Sequence, residues 1–243
     1  MKKIALFAFS CLLINSLFAQ DSTIATKKKK DPISLAGRAN DHFMLQFGIT
    51  NWAGKPDSIS TKGFSKSFNV YFMFDFPFKT NPKLSMAFGP GISSDHIIFS
   101  KTYVGIKDAT STLRFTDQSD TNHFKKTKLN TTYLEAPVEF RYTARPLNSD
   151  KSFKWAVGVK VGTMISAHTR NKNFENKNGN TLNDYTMKEK SKRFFNTTRL
   201  IGTARVGLGH FSLYGSYQVT TLFKEGVAAE IRPYTIGLTI SGL

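Results

Sequence analysis

The chain has 243 residues, with 34 Lys or Arg against 17 Asp or Glu and a single cysteine, Cys11. A formal charge of +17 is typical of proteins that bind nucleic acid or an anionic membrane surface. Because Cys11 lies in an amino-terminal segment that we expect to be removed, the rest of the chain can form no disulfide, thiol nucleophile or cysteine metal site.

Residues 1–19 have the pattern of a secretory signal peptide. Two lysines are followed by an apolar stretch, Ile4 to Phe18, and then by Ala19 and a polar segment. The apolar stretch is shorter than the roughly 20 residues that a spanning helix needs, which disfavours an uncleaved anchor. Export from the cytoplasm argues against nucleic acid as a partner. We interpret residues 20–40, with four adjacent lysines, as a periplasmic basic linker.

From residue 41 to residue 243 the sequence alternates apolar and polar residues with a period of two, which predicts β-strands. In the stretch FNVYFMFDFPF, Phe68, Phe72, Phe74 and Phe76 share one face and Asp75 lies on the other. Each predicted strand is close to the roughly ten residues that cross a bilayer at a tilt. The eight predicted strands are residues 42–50, 68–76, 84–93, 132–144, 154–162, 199–208, 211–219 and 234–240.

The connections between these strands alternate in length. Short links follow strands two, four and six, at residues 77–82, 145–151 and 209–210. Longer segments follow strands one, three, five and seven, at residues 51–65, 101–128, 168–194 and 221–230. Short turns on one rim and long loops on the other are typical of outer-membrane barrels. We therefore predict one all-β domain over residues 41–243, an eight-stranded antiparallel up-and-down transmembrane β-barrel in the outer membrane.

The two faces of the strands indicate which side meets lipid. The face opposite the phenylalanines is small or sparsely charged, with Gly89, Gly91, Gly158 and Gly162, as suits the narrow interior of an eight-stranded barrel. We therefore expect the phenylalanines to face lipid and the interior to be filled. Three acids and five bases are expected to form a paired network in that interior. They are Asp75, Glu135, Glu139, Arg141, Lys154, Lys160, Arg199 and Arg205.

Aromatic residues gather where the predicted strands end, which indicates two interfacial girdles. Those near the long loops are Trp52, Phe99, Tyr103, Phe194, Phe195 and Phe223. Those near the short turns are Phe78, Tyr142, Phe153, Trp155 and Phe211.

The segments YLEAPVEFRY (133–142), WAVGVKVG (155–162) and RPYTIGLTISGL (232–243) resemble the outer-membrane β-barrel family that is abundant in Bacteroidota and often called PorT-like. The resemblance spans all eight predicted strands. It implies a compact eight-stranded barrel in the outer membrane, in a family whose members mostly lack a defined activity. The founding type is associated with a secretion and gliding apparatus, and nothing in this sequence singles out that role.

The two longest predicted loops are basic. Residues 168–194 contain seven Lys or Arg against three acids, and residues 101–128 contain six against three. Basic external loops suit contact with the phosphates of surface lipopolysaccharide, and they equally suit general solvated loops. The residues predicted for such contact are Arg170, Lys172, Lys177, Lys188, Lys190, Lys192 and Arg193.

Catalytic and metal-binding patterns are weak. The five histidines, at 42, 96, 123, 168 and 210, include no pair at metal-ligand spacing. His96 and His168 lie near Ser93, Ser94 and Ser166, which resembles barrel enzymes that trim lipid A, but no third activating group can be assigned. Glu135 and Glu139 lie about 13 Å apart along one strand face, too far for a cooperating acid pair. We expect no enzyme activity, cofactor or metal.

These observations favour a structural or interaction protein of the cell envelope that acts through its basic external loops. The expected partners are outer-membrane lipid, lipopolysaccharide, the barrel-insertion machinery during assembly and an unidentified protein. Three alternatives remain open. They are a narrow pore lined by the interior charges, a soluble lipocalin-like carrier with an apolar interior and a polar exterior, and a lipid-A-type hydrolase.

Overall fold

The computed structural model of the protein describes residues 42–57, 59–61, 64–148 and 151–242. The predicted signal peptide and basic linker, residues 1–40, lie outside the described residues. The strands are β1 (Phe43–Ala53), β2 (Lys66–Phe72), β3 (Phe74–Pro77), β4 (Leu84–Phe88), β5 (Gly91–Phe99), β6 (Thr102–Val104), β7 (Phe115–Asp117), β8 (His123–Thr143), β9 (Phe153–Glu175), β10 (Thr181–Lys190), β11 (Thr198–Leu208), β12 (Phe211–Gln218) and β13 (Arg232–Ser241).

Eight strand positions form a ring in which each position pairs with its neighbour in chain order. Two of the eight consist of two segments each, β2 with β3 and β4 with β5. Neighbouring strands in the ring are antiparallel, beginning with β1–β2, continuing through β8–β9 and ending with β12–β13. The ring is completed by the antiparallel pairing of β13 with β1. The prediction of an all-β antiparallel fold is confirmed, and the ring contains the eight predicted strand positions.

The strand predicted at residues 84–93 is divided between β4 and β5. Pro90 has no N–H to donate to the ladder, and the register places it opposite Ala136 while Gly89 lies opposite Pro137. A close approach requires the glycine, since a Cβ at Gly89 would lie 1.8 Å from the backbone oxygen of Phe72. Two prolines at adjacent positions of the paired strands thus weaken the ladder locally, while the register continues unchanged on both sides.

The longest extensions beyond the predicted strand ends are those of β8 and β9. β8 begins at His123, β9 ends at Glu175, and the two pair along nearly their full lengths. β10 then pairs with the extended part of β9. The loops predicted at 101–128 and 168–194 are therefore wrong for residues 123–128, 168–175 and 181–190. Both faces of these extensions are largely polar, so no apolar alternation marks them in the sequence.

Apolar side chains cover the outside of the ring, and polar side chains fill much of the inside. Phe68, Phe72, Phe74 and Phe76 are 39% to 52% exposed, whereas the inward positions include buried glutamate, arginine and lysine side chains. A soluble carrier barrel has the opposite distribution, with apolar side chains inside and polar side chains outside. The distribution seen here suits a wall that faces hydrocarbon. We refer to the exposed apolar residues as the apolar belt. It includes Phe47, Phe68, Phe76, Ile92, Leu134, Val138, Val157, Val161, Leu213 and Ile236.

The structure contains strands rather than long helices. Among the residues that it describes, no helix has the length and hydropathy needed to cross a membrane.

Five of the six aromatic residues predicted near the long loops pack inside the ring, and Tyr103 is partly exposed. Trp52, Phe99, Phe194, Phe195 and Phe223 are at most 5% exposed and belong to one buried cluster. The girdle predicted at the loop end is therefore wrong for these five residues. Trp52 and Phe99 lie on the inward faces of β1 and β5, beyond the predicted strand ends. Phe194, Phe195 and Phe223 lie outside the strands, where no alternation shows which way they point. We refer to these residues, together with Ile59, Val104, Ile106, Leu113, Leu222 and Ile231, as the aromatic plug.

The aromatic residues near the short turns lie on the outside. Phe78, Phe153 and Phe211 are exposed, and Tyr142 stacks on Trp155 with ring centroids 5.8 Å apart. Their positions agree with the girdle predicted at this end of the ring.

Candidate functional site

All eight predicted interior charges have buried side chains. They come from β3, β8, β9 and β11, and they point into the ring because each lies on the strand face opposite the apolar belt. Most of them gather around two carboxylates, Glu135 and Glu139. Lys154 is buried on β9.

Glu135 is the centre of the first group. Its Oε1 lies 2.6 Å from Arg199 Nη2, and its Oε2 accepts a 2.5 Å hydrogen bond from the Tyr71 hydroxyl. Arg199 also donates through Nη1 to Asp95 Oδ2 at 2.8 Å, and its guanidinium lies 3.6 Å from the centre of the Tyr133 ring. The group therefore links β2, β5, β8 and β11 across the interior.

Glu139 is the centre of the second group. Its Oε2 accepts a hydrogen bond from Arg141 Nε at 2.9 Å and another from Arg205 Nη2 at 3.2 Å. Arg141 Nη1 lies 3.8 Å from Asp75 Oδ1, which brings β3 into the group. One carboxylate oxygen is thus shared by two guanidinium groups from β8 and β11.

Lys160 connects to the first group through uncharged partners. Its Nζ donates to Gln46 Oε1 at 2.8 Å and to the Tyr71 oxygen at 3.0 Å, and the Tyr71 hydroxyl in turn donates to Glu135. Sequence reasoning missed Tyr71, Gln46 and Asp95. The alternation pattern could have revealed the first two, which lie on inward faces of predicted strands, whereas Asp95 lies beyond the predicted end of strand three.

Most of the charged side chains in the interior are fixed by ion pairs and hydrogen bonds to one another. Each of the two glutamates is bound by arginine, and in the described part of the chain no group of three His, Cys, Asp or Glu could hold a metal ion. A cavity of about 20 Å³ beside the first charged group, lined by Glu135, Arg199 and Lys160 among others, has room for about one water molecule. The network therefore acts as a set of cross-links between strands.

A second cluster lies outside the ring, at the loop end and beyond the apolar belt. Strand pairing places outward-facing residues of β2, β5, β8, β9 and β10 side by side in rows. One row consists of Lys66, His96, Asn130, His168 and Lys190. The next row contains Lys128, Arg170 and Lys188. We refer to Lys66, His96, Lys126, Lys128, His168, Arg170, Lys172, Lys188 and Lys190 as the basic face.

The centre of the basic face is a concave pocket of about 190 Å³. Burial and the charges of Lys126 and Arg170 lower the pKa of Lys128, and burial and the charge of Lys188 lower the pKa of His168. None of the described residues that line the pocket is acidic, so its positive charges suit an anionic ligand. We refer to this site as the basic pocket; its lining residues are His96, Lys126, Lys128, Asn130, His168, Arg170 and Lys172.

The structure separates the seven residues predicted to contact lipopolysaccharide. Four belong to the basic face: Arg170, Lys172, Lys188 and Lys190. Lys177 lies in the exposed turn between β9 and β10. Lys192 donates to the backbone oxygen of Met164, and Arg193 donates to that of Asp108, each at 3.4 Å.

The other members of the basic face were not assigned to it from the sequence. They are Lys66, His96, Lys126, Lys128 and His168. Strand pairing between distant segments brings them together, which a single sequence does not reveal. The signal that could have found some of them is the spacing of two residues between Lys126 and Lys128, and between His168 and Arg170.

The serine and histidine residues at the rim are divided between the two faces of the wall. Ser93 faces the interior, where it hydrogen-bonds to Asn69 and Arg199. Ser94 faces outward, and its Oγ lies 3.2 Å from His96 Nε2. Asn130 is the strand-register partner of His96 on β8 and lies beside it on the outer face.

Comparison with known proteins gives one family match. The sequence model of a family described as outer membrane protein beta-barrel domain matches residues 18–220, which include β1 to β12. Two solved structures of Ail, the attachment invasion locus protein of Yersinia pestis, are similar to this chain, with 11% and 12% sequence identity and a TM-score of 0.36. In each case the aligned region covers 82% of this chain and 94% of the Ail chain. One of them is a complex with the heparin analogue sucrose octasulfate. No curated protein matches the chain.

Proposed function

The chain belongs to the outer membrane protein β-barrel domain family, and we propose that it forms a closed eight-stranded barrel that acts at the cell envelope through its basic face. It lies in the outer membrane. The observation that carries the proposal is the position of the basic face, which follows directly after the apolar belt along β8 and β9. The PorT-like assignment is part of the same proposal, supported by segments 133–142, 155–162 and 232–243.

A filled interior supports an interaction role over a pore. The two charged groups link strands that are not neighbours in the ring, and the aromatic plug packs residues of the connecting segments against the loop end of the ring. A conducting pathway needs a continuous file of water, whereas the interior cavity beside Glu135 has room for about one molecule. We therefore infer that the interior charges stabilise the barrel wall by linking its strands.

The basic face supports an anionic partner at the membrane surface. Clustered Lys and Arg side chains near an anionic lipid surface contribute about 1 kcal/mol each to attraction. Arg170 adds a planar guanidinium that can bind a phosphate through two parallel hydrogen bonds. Lipopolysaccharide is the phosphate-bearing component that an outer-membrane protein meets on this side.

Heat-modifiable migration tests the barrel part of the proposal. Protein from purified outer membranes is run in a detergent gel with and without boiling. A shift between a folded and an unfolded band is expected. A soluble protein with no shift would overturn the assignment of the apolar belt to lipid. Planar-bilayer recording of the same protein is expected to show no steady conductance, and regular conductance steps would contradict the filled interior.

The interaction part is tested with lipopolysaccharide itself. Folded protein in zwitterionic nanodiscs is mixed with purified lipopolysaccharide, and the bound fraction is measured at rising salt. Binding that weakens with salt is expected because surface charges are screened. Absence of binding at low salt would overturn the interaction role.

A second candidate function is ester hydrolysis of a lipid, favoured by the 3.2 Å separation of Ser94 Oγ and His96 Nε2. Asn130 lies next to the imidazole in strand register, and the serine faces outward beside the basic pocket. Mass spectrometry of lipid A from cells that express the wild type or Ser94→Ala separates the two functions. Loss of an acyl chain only with the wild type supports hydrolysis. Unchanged lipid A rejects it.

A further inference from the structure

We propose that the outer wall carries a binding site for a phosphorylated acyl lipid of the surrounding leaflet, with the phosphate in the basic pocket and one acyl chain in a groove below it. The inference rests on the proposed function, because it requires that the apolar belt spans the membrane. It adds the class of ligand, the place where each part of the ligand binds, and a second element, the groove.

The groove is an apolar depression of about 620 Å³ in the outer surface of the wall. It lies where Pro90 and Pro137 interrupt the ladder between β8 and the β4–β5 position. Ala136, which faces outward there, leaves space that larger side chains occupy elsewhere on the belt. We refer to it as the apolar groove, and its apolar lining includes Phe74, Phe88, Leu134, Ala136, Val138 and Val161.

The groove and the basic pocket lie on the same face of the same strands. On β8, Leu134 lines the groove and Asn130 lines the pocket, four residues nearer the loop end. At roughly 3.3 Å per residue, the two positions are about 13 Å apart along the strand. On β9, Val161 and His168 are arranged in the same order. A lipid has the same order of parts, with a charged headgroup directly above its acyl chain.

The pocket has the chemistry of a phosphate site. Lys128 and Arg170 are paired across β8 and β9, so an ammonium and a guanidinium point the same way from adjacent strands. Mutual repulsion among these cations is relieved by a bound dianion. His96 and His168 add two ring nitrogens that can donate to phosphate oxygens when protonated.

The orientation of the site favours a membrane lipid over a soluble polyanion. The basic residues project sideways from the wall, as the belt residues beneath them do, and they begin at the first row beyond Phe68, Ser94 and Thr132. This row is where the headgroups of the outer leaflet meet the protein. The apolar groove below it would have no use in binding a soluble glycan or nucleotide.

The test is native mass spectrometry of the folded protein with four probes. The probes are diphosphorylated lipid A, the same lipid without its phosphates, phosphatidylglycerol, and inositol hexakisphosphate as a soluble phosphate source. The wild type is expected to bind diphosphorylated lipid A at least about tenfold more tightly than the dephosphorylated form, as expected for the loss of charge-assisted hydrogen bonds. Equal binding of inositol hexakisphosphate and lipid A would overturn the lipid assignment in favour of a soluble polyanion.

Two variants test the two halves of the site. Lys128→Gln with Arg170→Gln is expected to weaken binding of diphosphorylated lipid A about tenfold, while Lys79→Gln with Lys83→Gln, which removes the same charge at the turn end, leaves it unchanged. Ala136→Phe fills the groove and is expected to remove the preference for diphosphorylated lipid A over inositol hexakisphosphate. Ala204→Phe, a matched change on the outer face of β11, is expected to keep that preference.

The outcomes separate this inference from the proposed function. Heat-modifiable migration identifies any variant that fails to fold. If Ala136→Phe fails to fold, the groove is tested instead by measuring how the wild type binds a series of lipid A forms with shortened acyl chains. If the wild type binds lipopolysaccharide and both site variants bind it equally well, the interaction role stands and this site is wrong. If the folded wild type binds no anionic probe, both are wrong.

Discussion

Arg199 Nη2 lies 2.6 Å from Glu135 Oε1, which joins β11 to β8 although β9 lies between these two strands in the ring. Both side chains are at most 3% exposed. A buried ion costs several kcal/mol unless it is paired and hydrogen-bonded. The contact therefore makes each partner depend on the other, and it ties together strands that no backbone hydrogen bond connects.

Replacing Arg199 with Met is expected to destabilise the protein by about 3–5 kcal/mol, because it leaves the buried carboxylate of Glu135 and the partly buried carboxylate of Asp95 without their guanidinium. Adding Glu135→Gln is expected to recover part of the loss. The measurement is urea unfolding of protein folded in lipid vesicles, followed by tryptophan fluorescence. The control is Arg232→Met, whose ion pair with Glu230 is exposed, and its cost should stay below about 1 kcal/mol. Equal losses for the two arginine variants would contradict the role of the interior network.

The aromatic plug is expected to stabilise the loop end by burial. Phe223 is 1% exposed, and its ring centroid lies 6.0 Å from that of Trp52 and 5.2 Å from that of Phe195. Phe223→Ala should cost about 3–5 kcal/mol, as for other large buried aromatics. Phe211→Ala, at a residue that is 63% exposed on the outside, should cost clearly less. Urea unfolding in vesicles compares the two, and similar losses would mean that the plug packs more loosely than the contacts indicate.

Much of the wall could be predicted from the sequence because a strand has a period of two. Once Phe68 to Phe76 were assigned to lipid, the same alternation placed Asp75, Glu139 and Arg205 on the opposite face, where the structure has them buried. The period fixes which face a residue occupies. It does not fix its partner: Asp95 and Arg199 are 104 residues apart and meet only because of the strand order.

The sequence was least informative where both strand faces have similar polarity. Residues 123–128 and 168–175 alternate basic side chains with Thr, Asn and other polar residues, so the extended β8 and β9 resembled solvated loops. The aromatic girdle predicted at the loop end is wrong for the opposite reason: both positions are apolar, since Phe194 and Phe195 are adjacent phenylalanines. Without alternation, only tertiary packing decides the direction in which such residues point.

Gly89 is expected to tolerate no side chain. A Cβ there would lie 1.8 Å from the Phe72 backbone oxygen, whereas a Cβ at Gly202 meets nothing within 4 Å. Gly89→Ala should therefore shift the backbone at the break between β4 and β5 and cost about 1–3 kcal/mol. Gly202→Ala should stay within about 0.5 kcal/mol of the wild type. The folded fraction in the unboiled gel lane and the urea midpoint measure both, and an unaffected Gly89→Ala protein would show that the close approach is easily relaxed.

Acid should weaken the extended hairpin of β9 and β10 through His168, which lies beyond the apolar belt. Burial, Lys188, His96, Lys190 and Arg170 lower its pKa from the ordinary value of 6.5. The unfolded chain therefore binds the proton more readily than the folded chain. The stability present above pH 6.5 is lost as the pH falls below that value towards the folded pKa.

His168→Gln is expected to remove this part of the acid sensitivity. Urea midpoints are compared at pH 7.5 and pH 5.5 in zwitterionic vesicles, whose headgroups carry no net charge and do not titrate between these pH values. The wild type should lose more stability than the variant, and the difference should shrink at high salt because the repulsion from Lys188, Lys190 and Arg170 is screened. An equal loss in both proteins would show that protonation of His168 is not opposed by the charges around it.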